Sequence, residues 1–187
     1  MSRGARLFAA VDPPAETRGE LAAWARRSVG SSGARPIAAD ALHITLCFLG
    51  SQPVERLEEI AAVVTASAAP VGRLGLGAPV WLPRRRPRAL AVEVHDETGT
   101  LTDLAGDLGR ALGEAIGWVP ESRRFRPHLT VARMRARPVT PGRLEPTPAL
   151  AFEPESLSLY RSRLDPDGAV YEAVARVALF WPGSGPG

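Results

Sequence analysis

The sequence predicts an α+β domain built from two related halves. Three observations carry that expectation: period-2 apolar runs alternate with runs at helical spacing, 18 Gly and 18 Pro punctuate them, and one short histidine motif occurs twice. With 187 residues, 45% of them apolar, the chain can bury roughly 70% of its unfolded surface and needs no disulfide or metal staple. Its Gly and Pro content stays below the roughly 25 to 30% that marks disorder, so many turns are expected.

Residues 7–11 read as a strand running into Asp12-Pro13, a helix cap followed by a first-turn proline, after which Leu21, Trp24, Ala25 and Val29 recur at helical spacing. A mostly apolar strand over 42–49 closes at Gly50, and Leu57, Ile60, Ala61 and Val64 describe a second helical face. The Gly-rich stretch 72–79 supplies a strand and the passage between halves, followed by the alternating strand Leu90, Val92, Val94. Leu101, Leu104, Ala105, Leu108 and Leu112 mark the longest helix, ending near Gly117, and residues 129–133 form a strand after Pro127. Two further strands, 157–162 and 170–180, are joined by Asp165-Pro166-Asp167-Gly168, a type I turn signature. Residues 183–187 read as a frayed end.

All 23 basic residues are Arg. A Schiff-base lysine, a phosphate-loop lysine and a covalent nucleotidyl-lysine are therefore excluded. The net charge of +3 is modest, and bulk charge alone says little about nucleic acid. The Arg clusters at 84–88, 123–126 and 133–137 fit solvated loops or phosphate contacts equally well. Cys47 stands alone, which excludes an internal disulfide framework and any multi-cysteine metal site. The run 7–11 is too short for a signal-peptide core and nothing approaches a membrane span, so a cytoplasmic setting is expected.

The repeat carries the chemistry. Residues 42–46 read Leu-His-Ile-Thr-Leu and residues 127–131 read Pro-His-Leu-Thr-Val. His-apolar-Thr-apolar thus occurs twice, each time after a strand and an amphipathic helix. In a strand, His43 and Thr45 share one face and Ile44 and Leu46 the other; the same holds for His128 and Thr130 against Leu129 and Val131. A lone His-x-Thr is most simply structural, but here two copies hold two of only three histidines. Two imidazoles can divide the proton work of one reaction, a neutral one as base and a protonated one as acid. Threonine adds a neutral hydroxyl donor toward a phosphoryl oxygen. In-line displacement at a phosphodiester fits this set without metal or cofactor, and there is no His-Glu-x-x-His zinc helix.

These residues resemble the 2H phosphoesterases, and within them the RNA 2′,3′-cyclic phosphodiesterases once called 2′-5′ RNA ligases. The resemblance rests on Leu42-His43-Ile44-Thr45-Leu46-Cys47-Phe48-Leu49-Gly50 and on Arg124-Phe125-Arg126-Pro127-His128-Leu129-Thr130-Val131-Ala132-Arg133. The opening residues 6–12 and the late Leu159-Tyr160-Arg161-Ser162, Gly168 and Tyr171-Glu172 support it. Cys47 and Val131 replace more usual small apolar and Leu residues. The resemblance implies one bilobal pseudo-symmetric domain over 1–187, with two antiparallel-type sheets flanking a central cleft and helices outside. It implies hydrolysis of RNA 2′,3′-cyclic phosphate ends to 2′-phosphomonoesters, with His43 as proton donor to the 3′ oxygen and His128 as the base that activates water. Thr45 and Thr130 would hold the phosphoryl oxygens. The residues themselves support an acid and a base without saying which is which.

Arg133 is the candidate for a further phosphate contact, since guanidinium offers a permanent charge and paired donors. Strict alternation from His128 nevertheless puts it on the far face. Phe48 and Phe125 could stack on a base, yet parity gives Phe48 the face of Ile44 and Leu46 and hence a place in the core. Parity also puts Cys47 on the His43 face, where it is expected as a small buried filler. His95 is expected at the surface and residues 30–33 as a loop. RNA ends or nucleotide cyclic phosphates are the expected substrates, and the chain is expected to be monomeric. Small cyclic nucleotides, the reverse ligation, or a non-catalytic module gripping RNA through its Arg clusters remain alternatives.

Overall fold

A computed structural model of the chain describes residues 4–30, 33–83, 85–120, 124–134, 144–165 and 168–179. The elements are β1 (Gly4–Asp12), α1 (Ala15–Val29), β2 (Ala34–Pro36), β3 (Ile44–Pro53), α2 (Leu57–Ala66), β4 (Leu74–Leu82) and β5 (Ala89–His95), then α3 (Thr100–Ile116), β6 (His128–Met134), β7 (Ala151–Phe152), β8 (Ser156–Asp165) and β9 (Gly168–Ala178). Short 3₁₀ turns at Ala39–Ala41 and Val54–Arg56 lead into β3 and α2. Every predicted strand and helix occurs. The very short β2 and β7 carry no period for a sequence reading to detect.

The helices form where the apolar spacing demanded them. α1 buries Leu21, Trp24, Ala25 and Val29, with Glu16 in its first turn and Arg26 and Arg27 in its last, charges that suit the helix dipole. α3 buries Leu101, Leu104, Ala105, Leu108 and Leu112. Its first turn is capped by Asp96, whose carboxylate accepts from Thr102 N at 2.9 Å and Thr102 Oγ1 at 2.8 Å. It ends at Gly117, whose left-handed φ of 67° closes the last turn as the glycine predicts. One expectation fails: the N-cap of α1 is Pro14, with no side-chain cap, and Asp12 is turned inward instead.

The described strands form a sheet in the order β7-β4-β5-β6-β3-β1-β8-β9, with β2 also on β6, and every pairing is antiparallel. The two predicted sheets are therefore two wings of one nine-stranded sheet. They meet between β3 and β6 at one residue pair, Ile44↔Leu129. The ladder stops there for two reasons. From Ala132 onward β2 takes the same edge of β6, and in the other direction β6 begins behind Pro127, which has no N–H to give.

The two wings are built alike. β1 leads through α1 to β3, which returns antiparallel beside β1; β5 leads through α3 to β6, which returns antiparallel beside β5. The main core lies on one face, where Val11, Ile44, Leu90, Leu108, Leu129 and Leu157 are fully buried. Phe8, Ala10 and Tyr160 form a second small cluster, with Tyr171 against it. β8 and β9 pair as far as Asp165↔Gly168; Pro166 and Asp167 of the predicted turn lie outside the described residues, as do 183–187. Among the described residues no helix is long and apolar enough to cross a membrane.

Candidate active site

The β3–β6 pairing between the wings brings the two motifs together. His43 immediately precedes Ile44, and His128 immediately precedes Leu129. Extending the antiparallel register one step each way from Ile44↔Leu129 sets His43 across from Thr130 and Thr45 across from His128. Ile44 and Leu129 are fully buried, while the four motif residues beside them are half-exposed on the opposite face.

Both imidazoles are held in the same way. His43 Nδ1 lies 2.8 Å from the carbonyl of Ala41, and His128 Nδ1 lies 2.8 Å from the carbonyl of Arg126. A carbonyl can only accept, so each Nδ1 carries a hydrogen and each Nε2 is the position that takes or gives a proton.

Their surroundings differ. His43 lies among rings: Phe8 stacks on it at 4.7 Å between centroids, Tyr171 meets it edge-on at 5.2 Å, and Tyr160 is at 5.8 Å. Burial there pushes its pKa below the ordinary value of 6.5, opposed by the bond to Ala41 and by the charge of Asp12, and reinforced by Arg133 and His128.

Three β-bulges rearrange the faces that strict alternation assigns. β1 and β3 pair Val11↔Ile44 and Ala10↔Thr45 but then Ala9↔Cys47, so Leu46 is an extra residue. Phe8↔Phe48 is followed by Leu7↔Gly50, so Leu49 is a second. Phe48 consequently faces the same side as Phe8, its ring 6.2 Å from Phe8, and is 59% exposed. The expectation that Phe48 is core is corrected by the bulge at Leu46. The same bulge takes Cys47 off the His43 face. It is buried as expected, opposite Ala9 in the main core, and burial pushes its thiol up to about 12.

The third bulge lies in β6. Ala91 pairs with Thr130 but Leu90 with Ala132, so Val131 and Ala132 both point into the core and the alternation inverts. Arg133 returns to the side of His128 and Thr130, where it is exposed and close enough for its charge to act on His43. The parity objection to Arg133 falls with that bulge.

A groove of about 1180 Å³ runs from Thr45 and His128 along α3 to Trp118, Arg124, Phe125 and Arg126, with Phe48 on its wall. Trp118 donates from Nε1 to the carbonyl of Phe48 at 3.1 Å, tying the end of α3 to the bulged strand. Gly109 lies against that indole, where a Cβ would meet its Cζ3 at 3.4 Å. His95 is exposed, away from this groove. Among the described residues no group of three or more His, Cys, Asp or Glu is placed to hold a metal ion. Arg84, Arg123, Arg135 and Arg137 of the basic clusters lie outside the described residues. Sequence reasoning missed the packing of Phe8, Tyr160 and Tyr171 around His43, and the inward turn of Asp12; the aromatic positions were visible only as parts of the resemblance.

The 2′-5′ RNA ligase superfamily model matches residues 12–166. The RNA 2′,3′-cyclic phosphodiesterase of Escherichia coli K12 is 33% identical over 141 residues, covering 75% of this chain and 78% of its own. That of Thermus thermophilus is 31% identical over 182 residues, covering 93% and 90%. A solved structure from Thermus thermophilus superposes with a TM-score of 0.79 at 30% identity over 93% of this chain and 97% of its own. That of E. coli LigT complexed with 3′-AMP gives 0.76 at 27% identity over 95% and 99%. Matched along most of its length in sequence and backbone alike, the chain belongs to the 2′-5′ RNA ligase superfamily of 2H phosphoesterases.

Proposed function

We propose that this chain hydrolyses the 2′,3′-cyclic phosphodiester end of RNA to a 2′-phosphomonoester, using His43 and His128 as an acid-base pair. The observation that carries the reading is the Ile44↔Leu129 junction, which places each histidine opposite the other motif's threonine. His128 takes a proton from water through Nε2 as the water oxygen bonds to phosphorus. His43 gives its Nε2 proton to the 3′ oxygen as the P–O3′ bond breaks. One water is consumed, and the two imidazoles exchange protonation states before the next turnover. Thr45 and Thr130 donate to the phosphoryl oxygens, and Arg133 supplies fixed positive charge as phosphorus becomes more crowded with anionic oxygen.

The depressed pKa of free His43 is compatible with an acid role, because a bound phosphodiester brings a negative charge that favours the imidazolium. The nucleotide leading to the scissile phosphate has room in the groove along α3, where Phe48 and Phe125 offer ring faces and Arg124 and Arg126 offer charge. The relatives, RNA 2′,3′-cyclic phosphodiesterases, support the same substrate class. Both halves contribute from one chain, so a monomer suffices.

The test is a defined RNA bearing a 2′,3′-cyclic end, incubated with the purified protein in EDTA, with the product phosphate located. A 2′-phosphate is expected, formed faster on an oligonucleotide than on a cyclic mononucleotide. A 3′-phosphate would overturn the leaving group, and faster turnover of mononucleotides would move the substrate to small cyclic nucleotides.

A further inference from the structure

We infer that Asp12 is a positioning residue for His43, a buried carboxylate that favours the protonated imidazole from behind the Tyr160 ring. Asp12 ends β1 and is 2% exposed. Its Oδ2 accepts from Ser156 Oγ at 2.8 Å and from Ser158 Oγ at 2.6 Å, and its Oδ1 accepts from Tyr160 OH at 2.8 Å. The three donors alternate along β8, so one face of a single strand supplies the whole set. Arg176 of β9 closes the network from outside. Its Nε donates to Ser158 Oγ at 3.2 Å and lies 3.6 Å from Asp12 Oδ2, and its Nη2 donates to Tyr160 OH at 3.0 Å. Each of those two hydroxyls thus accepts from Arg176 while giving its own hydrogen to Asp12.

A plain staple between β1 and β8 would not need this arrangement. A buried ion network is commonly no more stabilising than well-packed apolar residues of the same volume, and the flanking positions Val11 and Leu157 already join these strands through the core. What distinguishes Asp12 is its address. Tyr160, which it holds, faces His43 at 5.8 Å and stacks on Phe8 at 5.2 Å, and Phe8 in turn stacks on His43. The ionisable groups around His43 are Asp12 on β1, His128 and Arg133 on β6, Tyr160 on β8 and Tyr171 on β9, with Arg176 of β9 bound to the Tyr160 hydroxyl. Asp12 is the negative charge among them, set against His128 and Arg133. Three aromatic rings that exclude water and a nearby arginine make this histidine harder to protonate, and the Asp12 charge offsets part of that cost.

The inference rests on the proposed role of His43 only for its effect on turnover, and the titration of His43 can be read without substrate. With three histidines in the chain, imidazole Cε1–H resonances can be assigned by single substitution and followed against pH. Asp12→Asn should lower the His43 midpoint. Arg176→Gln, which leaves Asp12 less neutralised, should raise it. An unmoved His43 midpoint in folded Arg176→Gln overturns the inference even if Asp12→Asn fails to fold. In kcat/KM, the limb belonging to His43 should follow its titration in each variant. If the titration moves and neither limb does, Asp12 keeps its role toward the imidazole and the catalytic reading of His43 fails.

Discussion

Arg133→Gln tests whether the β6 bulge builds the phosphate site. Without the bulge Arg133 would lie on the core face with Leu129, and its loss would be felt as a change in stability. With Val131 and Ala132 both turned into the core, Arg133 is exposed beside His128 and Thr130. Removing an exposed guanidinium should leave the unfolding midpoint within experimental scatter, since surface changes away from special features are usually within about 0.5 kcal/mol. Its effect should fall on the reaction. A hydrogen bond from a charged donor contributes about 1.5 to 3 kcal/mol, and at about 1.36 kcal/mol per decade that is roughly 10- to 150-fold in kcat/KM. Arg133→Lys should recover part of the loss, because it keeps the charge without the fork. The same removal should raise the His43 midpoint, since Arg133 helps to depress it. The assay is kcat/KM on a cyclic-ended RNA across pH, paired with urea unfolding. Unchanged kcat/KM with lowered stability would refute the placement.

Other outcomes follow from the same geometry. Thr45→Val and Thr130→Val should each lower kcat/KM by roughly 2- to 13-fold, the value of a neutral hydrogen bond of about 0.5 to 1.5 kcal/mol; single-turnover rates check this, and no change in either would remove the threonines from the site. Cys47, buried with its thiol at about 12, should resist alkylation at pH 8 until denaturant is added, and Cys47→Ala should keep full activity. Native His43 binds protons less readily than unfolded His43, so its contribution to stability is present above pH 6.5 and is lost as pH falls through the depressed midpoint. His43→Gln should therefore lose less stability than the parent between pH 7 and pH 5 in urea titrations, and an equal loss would contradict the shift.

The elements and the two histidines were legible because each has a local signature. Leu101, Leu104, Leu108 and Leu112 repeat at helical spacing along α3, Gly117 marks the end, and the doubled His-x-Thr isolates His43 and His128 from His95. Facing was legible only as far as the first bulge. Ile44 and Thr45 obey alternation, whereas Cys47 and Phe48 do not, because the extra residue at Leu46 is fixed by how β3 pairs with Ala9 and Ala10 of β1. The same holds at Val131 and Ala132, where the partner is β5. A period-2 rule counts residues on one strand and cannot see a mismatch between two. Asp12 was misread for a related reason. Asp before Pro is a sound capping signal, but three hydroxyls at least 144 positions away along the chain claim its carboxylate. Long-range partners decide such residues.

The most direct measurement is turnover of a 2′,3′-cyclic-ended RNA by His43→Ala and by His128→Ala, each shown to be folded and to bind the RNA. A missing general acid or base should cost each variant roughly 10² to 10⁴-fold in kcat, with RNA affinity largely retained because Arg133, Arg124 and Arg126, the proposed phosphate contacts, are unchanged. Full turnover by either variant would contradict a two-histidine mechanism.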